Sequence, residues 1–247
     1  MFAIFKKELR AYFTSPIGYV YIGIFLAVSA LICCFTTLQQ ASYDTTAYFQ
    51  YLLFAFVILV PLLTMRLLSE ERKTKTEQLL LTAPISITGM ILGKYFAALV
   101  LFSGTVLVSC INFFPLISYA LVEQSTSTTD AHIGPVGGQI IGCLIGVLLI
   151  GAAFIAVGLF ISALTESQLS AAVISISVLI AMMLVGAIGN LTTSVFLKTV
   201  LGWISVLSRF DMFSMGLFDF SALLYYASIA GVCIFLTVRV YEKRRWG

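Results

Sequence analysis

Six long apolar runs, separated by short polar segments, constrain this chain more than any other feature. They cover residues 17–38, 49–68, 95–122, 136–164, 169–189 and 221–240. Each has at least about 20 residues, the length that an α-helix needs to cross the hydrocarbon core of a bilayer. Only 10% of the residues are charged, against roughly 25% in soluble domains. The sequence therefore predicts an all-α polytopic membrane protein with six spans and no separate soluble domain.

The basic residues predict the orientation of these spans. If both termini lie in the cytoplasm, 12 of the 14 Lys and Arg residues fall on the inner side, and only Lys198 and Arg209 fall outside. Cytoplasmic loops of membrane proteins carry such an excess of Lys and Arg. An even number of spans agrees with this arrangement. We therefore expect both termini, and the polar segment 69–86, to be cytoplasmic.

Residues 1–14 have the pattern of an amphipathic helix. Its apolar face consists of Phe2, Phe5, Leu9, Tyr12 and Phe13, and its basic face of Lys6, Lys7 and Arg10. A helix with aromatic residues opposite basic ones is typical of the membrane interface. The sequence predicts an interface helix before the first span.

The segment 69–86 is a polar island between the second and third spans. Its first half is charged, and its second half becomes apolar before Pro84. Ser69 suits the N-cap of a helix, and Glu70 and Glu71 suit the positive end of the helix dipole. We expect a short helix at the membrane surface that is suited to docking onto another protein. A solvated loop that only joins two spans is the alternative.

Three other segments carry local predictions. Asn112 and Pro115 should bend or interrupt the third span. The fourth span carries a stripe of small residues, Gly138, Gly142 and Gly146, that lets another helix approach closely. That stripe fits packing within the chain or a dimer face. Residues 190–220 are too polar for a span, and we expect one or two short helices at the outer leaflet there.

Motifs of enzymes and metal sites are missing from the sequence. It contains no HExxH, no GxSxG and no phosphate loop, since the nearest pattern, residues 89–95, is one residue short between its glycines. The five cysteines lie in apolar runs, and His132 has no second ligand near it. Charges are scarce at mid-span, which argues against ion-coupled transport. We therefore expect no enzyme activity, metal or cofactor in this chain, no nucleic-acid partner, and energy supplied through a cytoplasmic surface.

Several segments resemble permeases of the type 2 ABC exporter family, and the small six-span permeases of the gliding-motility type most of all. The most specific match is LLTMRLLSEERKTKTEQLLLTAPIS after the second span. FKKELRAYFTSPIGYV resembles the interface helix and first span, and VRVYEKRRW the C-terminal end. WISVLSRFDMFSMGLFDFSALLYY resembles the outer segment before the last span. The resemblance covers nearly the whole chain.

The resemblance implies a half-transporter in a bacterial plasma membrane, the cell inner membrane. A second permease chain, identical or different, would pair with it, and two copies of a cytoplasmic ABC ATPase would bind ATP and Mg. Segment 69–86 would be the coupling helix that inserts into the ATPase, through Glu70, Glu71, Arg72, Lys73, Glu77, Leu79, Leu80, Leu81 and Pro84. The interface helix would be a second contact, through Phe5, Lys6, Lys7, Glu8 and Arg10.

On the outer side, the resemblance implies short re-entrant helices in 190–220. The matching residues are Arg209, Phe210, Asp211, Phe213, Gly216 and Asp219, and Arg209 could pair with either aspartate. The expected function is ATP-driven export of a cargo, lipid-like or amphipathic rather than ionic, with peptide or polysaccharide left open. The alternative is force transmission to an extracellular partner without transport, since gliding-type relatives often have a membrane partner with an extracellular domain. An enzyme or channel independent of ABC proteins is the least favoured hypothesis.

Overall fold

The computed structural model describes residues 2–40, 43–74, 86–126, 134–191, 201–203 and 205–246. Throughout these ranges the regular structure is helical, without a strand, so the all-α prediction is confirmed. Among the described residues, six helical stretches are long and apolar enough to cross a membrane, as predicted. They are Pro16–Leu38, Thr46–Lys73, Ile87–Gln124, Gly137–Leu164, Gln168–Gly186 and Phe220–Arg245.

The described part of the first half contains six α-helices. They are α1 (Phe2–Thr14), α2 (Pro16–Cys33), α3 (Thr46–Thr64), α4 (Ser69–Lys73), α5 (Ile87–Ser109) and α6 (Phe113–Thr126). Ser15 caps α2, and its hydroxyl accepts the Ile17 amide, while Pro16 occupies the first turn. α2 continues as a π-helical turn over Cys34–Leu38.

The third span is interrupted where the sequence predicts. A short 3-10 turn, Cys110–Asn112, separates α5 from α6. Pro115 cannot donate a backbone hydrogen bond, which weakens the helix at this point. The side-chain amide of Asn112 donates to Ser29 Oγ at 3.1 Å, so the interruption is tied to α2. α5 begins at Ile87 rather than at the Tyr95 expected from the sequence.

The second half contains four described α-helices. They are α7 (Gly137–Leu164), α8 (Gln168–Leu191), α9 (Val206–Ser214) and α10 (Phe220–Trp246). α7 is apolar on all sides, which is typical of a buried helix. It packs against α3, α5, α8, α9 and α10 and forms the centre of the fold. α2, α8 and α10 expose many large apolar side chains, as expected of helices that face lipid.

Candidate functional site

A buried lysine joins three helices at one end of the bundle. Lys94 Nζ donates to Glu71 Oε1 at 2.7 Å, to Glu8 Oε1 at 3.0 Å and to the carbonyl oxygen of Leu67 at 2.9 Å. The Lys94 side chain is 2% exposed, and those of Glu8 and Glu71 are 16% and 15% exposed. An ammonium has three donors, and all three are used here. We call Lys94, Glu8 and Glu71 the Lys94 triad; it connects α1, α4 and α5.

Two other charged residues of the polar island, Glu70 and Arg72, also bind within the chain. Arg66 holds Glu70 with two parallel hydrogen bonds of 2.7 and 2.8 Å. Arg72 reaches Glu166 at 2.8 Å and the carbonyl oxygen of Leu164 at 3.1 Å. This second pair connects α4 to the end of α7. The charged half of the island is therefore fixed to its own bundle, and Lys73 remains exposed beside it.

The start of α4 is capped by a residue from another helix. The expectation that Ser69 would be the N-cap is wrong, because Leu68 occupies the cap position and the Ser69 hydroxyl donates back to the Met65 carbonyl. Residues 65–68 already form a turn, so Ser69 is the first residue of the helix rather than the residue that precedes it. The amides of Leu68 and Ser69 instead donate to Ser162 Oγ of α7, at 3.2 and 3.1 Å. This cap gives α4 a second attachment to α7.

The interface helix α1 turns one side toward the bundle. The Tyr12 hydroxyl donates to the carbonyl oxygen of Leu63 at 3.5 Å. Burial, together with the nearby Glu8 carboxylate, raises the pKa of Tyr12 above its usual range, so its hydroxyl stays neutral. The sequence grouped Tyr12 with Phe2 and Phe13, but the structure separates them: Phe2 and Phe13 are exposed. A cleft of about 100 Å³ beside the triad is lined by Glu8, Tyr12 and the Arg66–Glu70 pair, among others.

The last helix ends at the same place. Arg244 donates to the carbonyl oxygen of Ala163 at 2.6 Å and lies over the Tyr241 ring, 5.2 Å from its centroid. Cations near the last turn of a helix interact favourably with its unpaired carbonyls. The ends of α3, α7 and α10 and the starts of α4 and α5 are thus joined, with α1 packed beside them. We call these joined helix ends the basal layer. It is a candidate surface on which a protein outside the membrane can act to move the spans.

Part of the predicted coupling segment lies outside the described residues. This applies to Glu77, Leu79, Leu80, Leu81 and Pro84, whose docking role stays a prediction. Of the residues predicted for the interface helix, Glu8 joins the triad, Phe5 is half-buried, and Lys6, Lys7 and Arg10 are exposed. His132 also falls outside the described part. Within that part, no group of three His, Cys, Asp or Glu side chains could hold a metal ion.

At the opposite end of the bundle, α9 packs into the glycine stripe of α7. A Cβ on Gly142 would lie 2.6 Å from the carbonyl oxygen of Phe213, and one on Gly146 would lie 2.9 Å from the Phe210 ring. Gly216, with φ +76°, lies against the backbone of Gly138. Of the two alternatives for this stripe, the structure shows packing within the chain.

Arg209 is held by groups other than the aspartates considered from the sequence. Its guanidinium donates to Ser221 Oγ at 2.9 Å and to the carbonyl oxygen of Trp203 at 3.4 Å, and it lies 4.7 Å from the centroid of the Tyr225 ring. Asp219 accepts the Ser221 amide at 2.8 Å instead. Burial raises the pKa of the Asp211 carboxyl. In the described part of the chain, Arg209 forms no ion pair with either aspartate.

Sequence reasoning missed Lys94, Ser162 and Glu166. The predicted third span begins at residue 95, so the sequence placed Lys94 just outside it and did not predict its burial. A signal was present, because a lone cation inside an apolar helix needs an acidic partner. The sequence could not say which acid, since Glu71 and Glu8 lie 23 and 86 residues away.

Comparison with known families gives one match over most of the chain. The family model described as "ABC-2 family transporter protein" matches residues 12–240 of the 247 residues. No curated protein matches the chain at a significant level. The matched region includes five spans and most of the sixth, the Arg66–Glu70 pair and α9. The chain therefore belongs to the ABC-2 transporter family and is a membrane-spanning permease component of an ABC transporter.

Proposed function

We propose that this permease is a half-transporter that is driven from the cytoplasm by a separate ABC ATPase. The observation that carries the proposal is the basal layer, in which the Lys94 triad, Ser162 and the Arg72–Glu166 pair attach α4 to α1, α5 and α7. A rigid attachment is required if motion of a short surface segment is to move whole spans. The excess of basic residues at this end supports a cytoplasmic location.

In this mechanism the ATPase grips the apolar half of segment 69–86. Binding and hydrolysis of ATP with Mg in the ATPase move that segment, and α4 transmits the motion because its start is anchored to α7. The triad carries the same motion to α1 and α5. Spans of two permease chains then rock against each other and open a path between them. This chain supplies binding and mechanical transmission and no nucleotide chemistry.

Export is the direction that we propose, and the gliding-motility type is the subtype. The support is that the segments after the second span and before the last span resemble those of the small six-span exporter permeases of the gliding-motility type. A lipid-like or amphipathic cargo fits the bundle, because the ion pairs of Arg66, Arg72 and Lys94 lie at one end of it and the spans beyond them have apolar walls.

The test is ATP hydrolysis by the full chain purified with and without its ATPase partner. We expect hydrolysis in the complex and none in the chain alone. Replacing Leu79, Leu80 and Leu81 with alanine should detach the ATPase. A matched control, Leu217→Ala with Phe218→Ala at the opposite end, should leave the complex intact. Hydrolysis by the chain alone, or a complex that survives the triple substitution, would overturn the proposal.

A further inference from the structure

Helix α1 presents three different sides. At 100° per residue, Ile4, Glu8 and Tyr12 lie on one side, and the structure turns that side toward the bundle. Phe2 and Phe13 fall on a second side, where they are 76% and 47% exposed. The third side is shallow, exposed and basic. Its lining residues are Ala3, Lys6, Lys7, Arg10, Ala11 and Thr14.

The basic side contains no acidic residue, although the Glu71 carboxylate, which is bound to Lys94, also interacts electrostatically with Lys7. No acidic side chain lines it, and Lys6, Lys7 and Arg10 form no ion pair within the described ranges. The acidic residue of α1, Glu8, is turned away and bound to Lys94. Lys6 and Arg10 are one helical turn apart, the spacing at which two side chains reach the same group. The surface is therefore built to receive an anion.

The exposed aromatic residues indicate what kind of anion this is. Phe2 and Phe13 border the basic side, so a ligand that covers both must have an anionic head and an apolar body. α1 contacts the ends of α3 and α5 at Leu63 and Lys94, which places it at the boundary of the membrane. Amphipathic helices at this depth bury their apolar side and attract anionic lipids with their basic side.

We propose that the basic side of α1 binds the headgroups of anionic phospholipids, with Lys6 and Arg10 sharing one phosphate. The acyl chains of the same lipids lie against Phe2 and Phe13. Because Glu8 of this helix holds Lys94, the bound lipid fixes the helix that carries part of the triad. This binding belongs to the permease chain itself and does not require an ATPase.

The experiment places a fluorescent reporter in α1. Phe13→Trp, combined with Trp203→Phe and Trp246→Phe, leaves one tryptophan at this helix. The purified chain is reconstituted in vesicles of phosphatidylcholine mixed with brominated phosphatidylglycerol. Quenching of the tryptophan fluorescence by the brominated lipid gives the affinity of the site for phosphatidylglycerol relative to phosphatidylcholine. Near an anionic surface each basic residue contributes a factor of about 5. We expect Lys6→Gln with Arg10→Gln to reduce the preference for phosphatidylglycerol by roughly 10- to 30-fold.

Lys243→Gln with Arg245→Gln is the matched control, because it removes the same charge from the exposed end of α10. We expect this control to keep the preference. Added salt should weaken the preference of the parent protein. The proposal is overturned if the α1 variant keeps the preference, or if both variants lose it equally. If the α1 variant keeps the preference and also fails to copurify with the ATPase, the basic side is a protein contact instead.

Discussion

Lys94 shows how much of the basal layer depends on one side chain. A buried charge is tolerated when it is paired and hydrogen-bonded, and here one ammonium serves two carboxylates and a carbonyl. Removal of one member of such a group leaves the others buried without compensation. The triad therefore stabilises the contact between α1, α4 and α5 only when all three residues are present.

Lys94→Met should destabilise the purified protein by about 3–5 kcal/mol, because Glu8 and Glu71 lose their shared cation. Thermal unfolding in detergent measures the effect. Combining Lys94→Met with Glu8→Gln and Glu71→Gln should recover part of the loss. The control is Lys73→Met at an exposed position, which should change stability by no more than about 0.5 kcal/mol. An unchanged melting temperature for Lys94→Met would contradict the account.

Asp211 gives a pH-dependent prediction at the end of the bundle opposite the basal layer. Burial raises the pKa of this carboxyl, so the folded protein binds the proton more tightly than the unfolded chain does. Stability therefore falls as pH rises from the unfolded-state pKa of about 4 through the folded-state pKa. Asp211 is exposed, so solvent screens its charge, and Asp211→Asn should be only slightly more stable than the parent at neutral pH, with the difference shrinking as the pH falls toward 4. Melting temperatures across this range test the sign.

Asp219 is the contrasting position for that experiment. Its carboxylate accepts the Ser221 amide at the start of α10. Asp219→Ala should therefore reduce stability by about 0.5–2 kcal/mol, the usual cost of losing a helix cap. A stabilising effect of Asp219→Ala, or a destabilising one of Asp211→Asn, would contradict the roles given to these two carboxyl groups.

Among the elements, α7 organises the packing through its glycines. The sequence identified Gly138, Gly142 and Gly146, and the structure extends the close contacts to Gly151 against Phe102 and Gly158 against Thr64. Spacing by four residues was a visible signal for the first three. The other two follow no such spacing, because their partners on α5 and α3 are fixed only by the three-dimensional arrangement.

Gly142→Ala should destabilise the protein by about 1–3 kcal/mol, because the new Cβ meets backbone atoms of Phe213 and Gly216 that have little room to move. Gly104→Ala is the matched control, since a Cβ there has no neighbour within 4 Å. In a helix interior that control should be neutral or stabilising by up to about 1 kcal/mol. Equal melting temperatures for the two variants would refute packing of α9 on the stripe.

Fold class and span number could be predicted from the sequence because they depend on run length and apolarity alone. The interruption near Asn112 also followed from residue type. The basal layer could not be predicted in this way, since its bonds join residues far apart, such as Leu68 with Ser162 and Arg72 with Glu166. The start of α5 at Ile87 could not be predicted, because a lysine is accommodated inside a span only when it has acidic partners, and those of Lys94 are 23 and 86 residues away.

For the whole molecule, the central claim is that the basal layer faces the cytoplasm and receives the push of an ATPase. The claim assigns opposite sides of the membrane to α4 and α9. Lys73 and Leu217 are exposed at these two ends and offer matched positions for labelling. Both lie outside the apolar cores of the spans, so that a water-soluble reagent can reach them.

The measurement is labelling of Lys73→Cys and Leu217→Cys by a membrane-impermeant maleimide in intact cells and in inside-out vesicles. The unsubstituted chain, with its five native cysteines, gives the background. The account predicts that Lys73→Cys reacts only in inside-out vesicles and Leu217→Cys only in intact cells. Reaction of Lys73→Cys in intact cells would place α4 on the outer surface, where no cytoplasmic ATPase could contact it, and would contradict the account.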